Sequence, residues 1–287
     1  MSRKEHLELS KIIAQHPWLS DKSKEIRNLL FSECETDEHR HLITALISEL
    51  VHVDMHSYKE LIKSVAENIK NTHLMPSTTL IVSMTGDRSA DSGQHVLYEL
   101  KYFLRYYKWT GYTAVNKYNE SHKIFKDNGQ QDTDLILVDN FIGSGRTVQT
   151  RINWVQETFT TKNYKTPNIS VKVALCTKSG FDFLKSQGVD VYASKIINDK
   201  LIENLFSSNK DHYIEMMQYL ESKLLTVYKT KKNITKLLPS LGYGKAQVAL
   251  SIETMNTPNN VFPIFWWQYA NNAEEREVLL LRDMEDA

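Results

Sequence analysis

Short apolar segments alternate with helix-like segments through the middle of the chain, and no other sequence feature restricts the fold as strongly. Four of these segments are too short for buried helices and rich in strand-forming residues: TLIVSM (79–84), DLILVD (134–139), NISVKVALC (168–176) and VDVYAS (189–194). Segments with helical spacing of apolar residues separate them, as in QHVLYELKYFLRYYKW. Strands that alternate with helices need crossover connections, so the sequence predicts an α/β fold with a mostly parallel sheet.

The segments on either side of this region are mainly helical in pattern. We therefore predict a helical N-terminal region over residues 1–73 and an α/β domain over residues 74–287. A helical insertion is predicted at about 200–238, and the basic run KTKKNITK (229–236) inside it is interpreted as a solvated helix face.

Composition excludes several classes of protein. The 35 basic and 35 acidic residues cancel, which argues against binding to nucleic acid through bulk charge but leaves room for a local basic groove. Two cysteines give no disulfide framework and fit a reducing compartment. No apolar run approaches the roughly 20 residues that a membrane helix needs, and the first residues lack an apolar leader segment. The expected location is therefore the cytoplasm, away from the membrane.

The segment LILVDNFIGSGRT (135–147) carries the most chemical information. Its apolar residues predict a buried parallel strand with Asp139 at the carboxyl end, where open α/β sheets bind their ligands. Gly143 and Gly145 allow a tight turn and a close approach to a ligand, and the amides that follow lie at the positive end of a helix. A sugar-binding carboxylate beside a phosphate cradle suggests ribose 5-phosphate as the ligand.

Two other phosphate motifs fit these residues less well. A dinucleotide fingerprint needs GxGxxG, and Val148 stands where the third glycine would be. A Walker A loop needs a lysine that is absent here. An ordinary strand-to-helix turn with incidental glycines is the remaining alternative.

The segment resembles the phosphoribosyl diphosphate motif of the type I phosphoribosyltransferases. That motif has four apolar residues, two acids, two apolar residues, and small residues around a glycine and a closing threonine. Asn140 replaces the second acid, and Gly143 stands where many members carry an acid or a small polar residue. The resemblance implies a phosphoribosyltransferase-like (Rossmann-like), mostly parallel sheet flanked by helices.

The resemblance also implies roles for individual residues. Asp139 and Asn140 are assigned to the ribose diol, and the 5-phosphate is assigned to Gly143, Ser144, Gly145, Arg146 and Thr147. The polar segment after the first strand is similar to the family's diphosphate loop, which here contains Asp87, Arg88, Ser89, Asp91, Ser92 and Gly93. The predicted catalytic residues are Asp139, Asn140 and Arg88, whose guanidinium suits a diphosphate, although a solvated loop charge is the alternative for Arg88. Mg²⁺ is the expected cofactor, with Asp87 or Asp91 as its contact and no ligand directly assigned.

A second stretch near the C-terminus narrows the match. PSLGYGKAQVALSIETMNTPNNVFPIFWW resembles the closing signature of the PRTase-CE (conflict-effector) family, through its GYGxxQ, TPNN and PIFWW elements. On the acceptor side, Asn259, Asn260 and Trp266 are candidates to contact a base, with turn formation and core packing as the alternatives. Members of this family are expected in anti-phage defence, some of them beside retron modules with a reverse transcriptase, retron DNA or a DNA-binding protein. This fold class often forms homodimers, and the sequence leaves the oligomeric state open.

Two functions of different class follow from these observations. The first is a glycosyltransferase of the phosphoribosyl class, or a nucleotide N-glycosidase, that acts on a nucleotide or phosphoribosyl diphosphate as a defence effector. The second is an inactive sensor of a nucleotide or of nucleic-acid phosphates in a defence complex, an alternative that the missing second acid favours.

Overall fold

The computed structural model describes residues 3–86 and 92–286. The helices are, in chain order, α1 (Arg3–Gln15), α2 (Ser23–Asn28), α3 (Asp37–Ser48), α4 (Met55–Asn71), α5 (Ser92–Tyr106), α6 (Ser121–Asp127), α7 (Arg146–Thr161), α8 (Lys178–Ser186), α9 (Leu201–Leu205) and α10 (Lys210–Glu221). The strands are β1 (Val51–Val53), β2 (Thr79–Ser83), β3 (Thr113–Val115), β4 (Asp134–Ile142), β5 (Asn168–Thr177), β6 (Asp190–Ile197), β7 (Val227–Lys229), β8 (Thr235–Leu237) and β9 (Leu250–Ile252). The chain divides into two compact units, one of residues 54–197 and one of residues 1–53 and 198–287.

The unit of residues 54–197 is built on a five-stranded sheet in the order β3-β2-β4-β5-β6, with every pair parallel. This confirms the predicted α/β class and the mostly parallel sheet. Helices α4 and α5 pack against each other and onto one face of the sheet. Side chains of α6, α7 and α8 bury the other face. Because both faces are covered, the central strands are continuous apolar runs rather than alternating ones.

One segment of this unit differs from its sequence pattern. The polar composition of residues 117–132 is typical of a loop, yet these residues contain the helix α6. Phe125 is buried there, with its ring centroid 4.9 Å from that of Phe159. A single buried aromatic residue fixes this short helix to the core, which is too weak a pattern to predict a helix from sequence.

The unit of residues 1–53 and 198–287 combines the first three helices with the last third of the chain. Strands β1 and β9 pair in parallel, so segments about 200 residues apart are neighbours. Within the predicted helical stretch 200–238, α9 and α10 are helical, but the chain then forms an antiparallel hairpin of β7 and β8. The basic run 229–236 therefore lies in a hairpin and not on a helix face. The domain boundary predicted at residue 73 stays a prediction, although α4, which precedes it, packs with the sheet.

A buried carboxyl group at the end of α10 holds the segment that follows the hairpin. The Glu221 side chain is buried, and its Oε2 accepts hydrogen bonds from the Ser240 hydroxyl at 2.7 Å and the Leu241 amide at 2.8 Å. Its Oε1 has no hydrogen-bond partner among the residues that the structure describes. Burial raises the pKa of Glu221 to about 7, more than the two hydrogen bonds lower it.

We predict that Glu221 makes this protein less stable as the pH rises. The pKa of its carboxyl is higher in the folded protein, about 7 against an ordinary value of 4.5, so the native state binds more protons and stability falls between these pH values. The difference in unfolding free energy between wild type and Glu221→Gln should therefore change by about 3 kcal/mol across this window. Urea denaturation of both proteins from pH 4.5 to pH 8 measures it.

Glu274→Gln, at an exposed position of the same unit, is the matched control and should follow the wild type at every pH. Parallel pH profiles for Glu221→Gln and wild type would show that the carboxyl does not titrate in this window.

Candidate functional site

The candidate site lies at the carboxyl end of β4, the central strand of the sheet. The Asp139 Oδ1 accepts hydrogen bonds from the Asn140 amide at 2.8 Å and from the Ser92 hydroxyl, at the start of α5, at 3.1 Å. Asn140 itself is buried. Asp139 and Asn140 therefore lie three and two residues before the last residue of β4, because the strand continues beyond its predicted end at Asp139 to Ile142, and the Asp139 carboxylate is held by its neighbours.

The glycine loop is held in place by the next strand of the sheet. The hydroxyl of Thr177, the last residue of β5, donates to the Gly143 carbonyl at 2.8 Å and accepts from the Gly180 amide at 2.9 Å. One threonine thus ties the loop that follows β4 to the first turn of α8. This residue has no signature in the sequence, because its role depends on the pairing of β4 with β5.

Two glycines are required by close backbone approach. A Cβ on Gly180 would lie 1.8 Å from the Gly143 carbonyl oxygen, a distance that no side chain can take. Gly145 adopts a φ of +72°, and a Cβ there would lie 3.0 Å from the Gly180 carbonyl oxygen. Glycine is the residue that tolerates such positive φ values without strain. The sequence indicated Gly145 as a site residue, but it gave no indication of Gly180.

The first turn of α7 presents unpaired amides at this loop. Gly145 is the N-cap of this 16-residue helix and makes no side-chain cap. Within the described parts of the chain, no hydrogen bond from the amides of residues 144–147 was found. Arg146 and Thr147 are exposed, and Ser144 is half-buried. Gly145 is buried between them. Free amides at the positive end of a helix favour an anion.

Arg151 adds a positive charge that the sequence analysis did not assign. Its Nη1 lies 3.8 Å from the Asp139 Oδ2, and its guanidinium lies over the Tyr118 ring, 5.6 Å from the centroid. Arg151 is four residues after Thr147 on α7, so the two share a helix face. That spacing was the available signal, and it would have placed this arginine beside the phosphate loop.

The diphosphate loop is only partly described. Asp87, Arg88, Ser89 and Asp91, and with them the predicted magnesium contacts, lie outside the described residues. Gly93 is buried at the start of α5, where a Cβ would meet the Ser83 hydroxyl oxygen at 2.6 Å. Close packing of α5 on the end of β2 therefore requires Gly93.

A buried tyrosine on α4 interacts electrostatically with Asp139. Tyr58 is fully buried, and its hydroxyl has no hydrogen-bond partner among the described residues. Burial, followed by the charges of Asp139 and Glu99, raises the pKa of Tyr58 well above its usual value. This phenol therefore stays neutral and adds no charge to the site.

The residues predicted for the acceptor side belong to the other unit. Trp266 is fully buried and donates from Nε1 to the Val261 carbonyl at 2.9 Å. Asn260 donates from Nδ2 to the Tyr243 carbonyl at 3.0 Å, and the Asn259 carbonyl accepts from the Tyr243 amide at 2.7 Å. These contacts hold the two parts of the C-terminal signature together. A role in contacting an acceptor stays a prediction.

The described residues offer few protein ligands for Mg²⁺ at this site. Among the described residues there is no group of three or more His, Cys, Asp or Glu side chains placed to hold a metal. One carboxylate near the end of the strand, Asp139, fits an ion that takes most of its ligands from phosphates and water.

In the part of the chain that the structure describes, no helix is both long enough and apolar enough to span a bilayer.

Several solved structures show limited similarity to this chain. A hypothetical protein from Neisseria gonorrhoeae, solved with bound ppGpp, aligns at 11% identity over 52% of this chain and 85% of its own, with a TM-score of 0.34. Orotate phosphoribosyltransferase from Aeropyrum pernix aligns at 13% identity over 55% and 76%, with a TM-score of 0.31. Xanthine-guanine-hypoxanthine phosphoribosyltransferase from Helicobacter pylori aligns at 12% identity over 54% and 96%, with a TM-score of 0.30.

A comparison with curated proteins gave no match. The family model PRTase-CE, in contrast, matches residues 17–280, a span that covers both units of the structure and contains both the glycine loop and the GYGxxQ–TPNN–PIFWW signature. The chain belongs to the PRTase-CE family, and its fold is phosphoribosyltransferase-like.

Proposed function

We propose that this protein is a phosphoribosyltransferase-like effector that acts on a nucleotide, a phosphoribosyl donor or a glycosidic bond. The observation that carries the proposal is the open first turn of α7 beside Asp139, at the carboxyl end of the central strand. Amides at a helix start suit a phosphate, and a carboxylate next to them suits sugar hydroxyls. A ribose 5-phosphate unit carries both a phosphate and a pair of hydroxyls.

In this proposal the loop holds the 5-phosphate and the strand end holds the ribose. The amides of residues 144–147 and the hydroxyls of Ser144 and Thr147 donate to phosphate oxygens. Asp139 and Asn140 accept from the ribose diol. Fixing the sugar at two points orients its anomeric carbon toward the acceptor, which is how positioning lowers the barrier of a transfer reaction.

The reaction breaks the bond between the anomeric carbon and its leaving group and forms a bond from that carbon to the acceptor. With phosphoribosyl diphosphate as donor, diphosphate departs with the bonding electrons, and the acceptor loses a proton. The positive charges of Arg151 and of Arg88, at the predicted diphosphate loop, would stabilise the departing charge. Mg²⁺ held through Asp139, and through Asp87 or Asp91, would supply further neutralisation of the diphosphate.

Family membership supports a role in bacterial anti-phage defence. Within that role the partners would be companion defence proteins, such as a reverse transcriptase with its retron DNA or a DNA-binding protein. Depletion of a nucleotide pool, or modification of a macromolecule, would be the effector step.

A ligand sensor without turnover is the second candidate. Asn140 replaces an acid, and the Asp139 carboxylate already accepts from the Asn140 amide and the Ser92 hydroxyl and lies near Arg151. A strand that carries one acid of the motif's pair, with that acid already engaged in these contacts, can bind a phosphosugar without activating it.

We predict that Asp139→Asn weakens binding of phosphoribosyl diphosphate, measured by calorimetry with Mg²⁺, at least about tenfold. Asparagine keeps an acceptor for Ser92 and the Asn140 amide but removes the charge, and hydrogen bonds to a charged group are the stronger ones. Phosphorus NMR of the same samples with a nucleotide panel detects released diphosphate and so separates transfer from sensing.

Asp134→Asn is the control on the same strand, because Asp134 lies at the amino end of β4, at the opposite edge of the sheet. Equal binding by wild type and Asp139→Asn would remove Asp139 from the site. If wild type binds neither phosphoribosyl diphosphate nor any nucleotide of the panel, the proposal fails.

We predict further that Gly180→Ala strongly weakens phosphosugar binding although Gly180 lies outside the loop. The added methyl group would overlap the Gly143 carbonyl oxygen, so the loop must move away from the Thr177 hydroxyl and its amides lose their common direction. Calorimetry with phosphoribosyl diphosphate should show at least a tenfold loss, since several hydrogen bonds of about 1 kcal/mol each are misaligned.

Gly188→Ala controls for the loss of a glycine, because Gly188 has a φ of +76° and open space around its Cβ position. It should lower the melting temperature through backbone strain and leave binding intact. Binding by Gly180→Ala equal to that of Gly188→Ala would contradict the proposed loop geometry.

A further inference from the structure

A stripe of exposed tyrosines runs along α5, away from the loop and its amides. Tyr98, Tyr102 and Tyr106 are 73%, 69% and 66% exposed. They are four residues apart, so they lie one above the other on a single face of the helix. We call these three residues the tyrosine stripe.

The stripe has no role in the core of this unit. The opposite face of α5 supplies the buried contacts with the sheet, through Val96, Leu97, Leu100 and Leu104. Large aromatic side chains that remain mostly exposed in a row mark an interaction surface rather than a packing requirement.

Contacts with the next residue in the chain restrain two of the stripe rings. The Tyr102 ring packs edge-on against Phe103, with 5.2 Å between centroids and 83° between planes. Tyr106 packs against Tyr107 in the same way, at 5.2 Å and 76°. Each ring therefore presents its surface with part of its rotational freedom already lost, which lowers the entropic cost of binding.

The exposed charges of residues 98–108 are all positive. Lys101, Arg105 and Lys108 are exposed on the same stretch, whereas Glu99, the acid within α5, is half-buried. On the neighbouring helix α4, Lys63 pairs with Glu60 at 3.2 Å. Glu67 is exposed there, and its charge adds to the effect of burial in raising the pKa of Tyr107, the residue after the stripe. The stripe face thus combines aromatic faces with cations.

We propose that the tyrosine stripe with Lys101, Arg105 and Lys108 binds a single-stranded nucleic acid. Aromatic rings that stack on bases, interleaved with cations that pair with phosphates, are the combination that recognises unpaired strands. The tyrosines recur about every 6 Å along the helix axis, well beyond the 3.4 Å rise per base of a duplex strand. Bases reach such rings only where their faces are free, so a duplex does not fit.

Binding of a single-stranded nucleic acid at the tyrosine stripe does not involve the phosphosugar site. Stacking and phosphate pairing read neither the sequence nor the 2′-hydroxyl, so DNA and RNA strands should bind alike. The neutral net charge of the chain makes binding a property of this face and not of bulk charge.

Fluorescence anisotropy on the full chain tests the proposal, with a labelled oligothymidylate, an oligouridylate of equal length and a DNA duplex. We expect both single strands to bind and the duplex to bind much more weakly. Tyr98→Ala/Tyr102→Ala/Tyr106→Ala should lose at least about tenfold in affinity. The corresponding triple phenylalanine variant keeps the ring faces and should bind within about threefold of wild type.

A matched pair of charge variants tests whether the cations beside the tyrosine stripe contact phosphates. Lys101→Gln/Arg105→Gln/Lys108→Gln should lower the slope of log affinity against log salt by about 2, at roughly 0.7 per lost phosphate contact. Lys123→Gln/Lys126→Gln/Lys162→Gln removes the same charge from exposed positions on or beside α6 and α7, at the opposite face of the sheet, and should leave the slope unchanged. Thermal melting of each variant establishes that it is folded.

Three results would overturn the proposal. One is no single-strand binding by wild type at 50 mM salt, and another is unchanged affinity in the triple alanine variant. The third is a dimer that the triple alanine variant converts to a monomer without any effect on oligonucleotide binding, which would assign the stripe to contact with a second copy of the chain.

Discussion

The hydrogen bond from the Thr177 hydroxyl to the Gly143 carbonyl is the contact on which the candidate site depends. It joins the ends of two adjacent parallel strands, and the same threonine caps α8 through the Gly180 amide. At Gly180, α8 and the loop approach so closely that no side chain fits between them. A phosphate cradle made of backbone amides has no side chains to adjust, so its geometry is set by how firmly the surrounding elements hold the main chain.

The same helix serves two surfaces. At its amino end, α5 supplies Ser92, whose hydroxyl donates to Asp139. Further along, its outer face carries the tyrosine stripe, while its inner face packs on the sheet. A rigid helix can carry both because its faces are chemically separate, with apolar residues inward and aromatic and basic residues outward.

The C-terminal signature owes much of its pattern to packing. A Cβ on Gly242 would lie 2.0 Å from the Asn260 carbonyl oxygen, so the GYG turn and the TPNN turn approach each other too closely for any other residue. Asn260 closes the same contact by donating to the Tyr243 carbonyl, and Trp266 and Trp267 are both fully buried beyond it. Asn260 and Trp266, two of the candidates for contacting a base, thus also make structural contacts through their side chains.

The sequence by itself determined the α/β class, the parallel sheet and the position of the glycine loop after a buried strand. These features are local, since periodicity, strand length and glycine spacing are all read within about 15 residues. Only the tertiary structure placed Thr177 and Gly180 around that loop, and it showed that residues 227–237 form a hairpin and residues 121–127 a helix. Those outcomes depend on contacts between residues far apart in the chain, where burial and hydrogen-bond partners override local propensity.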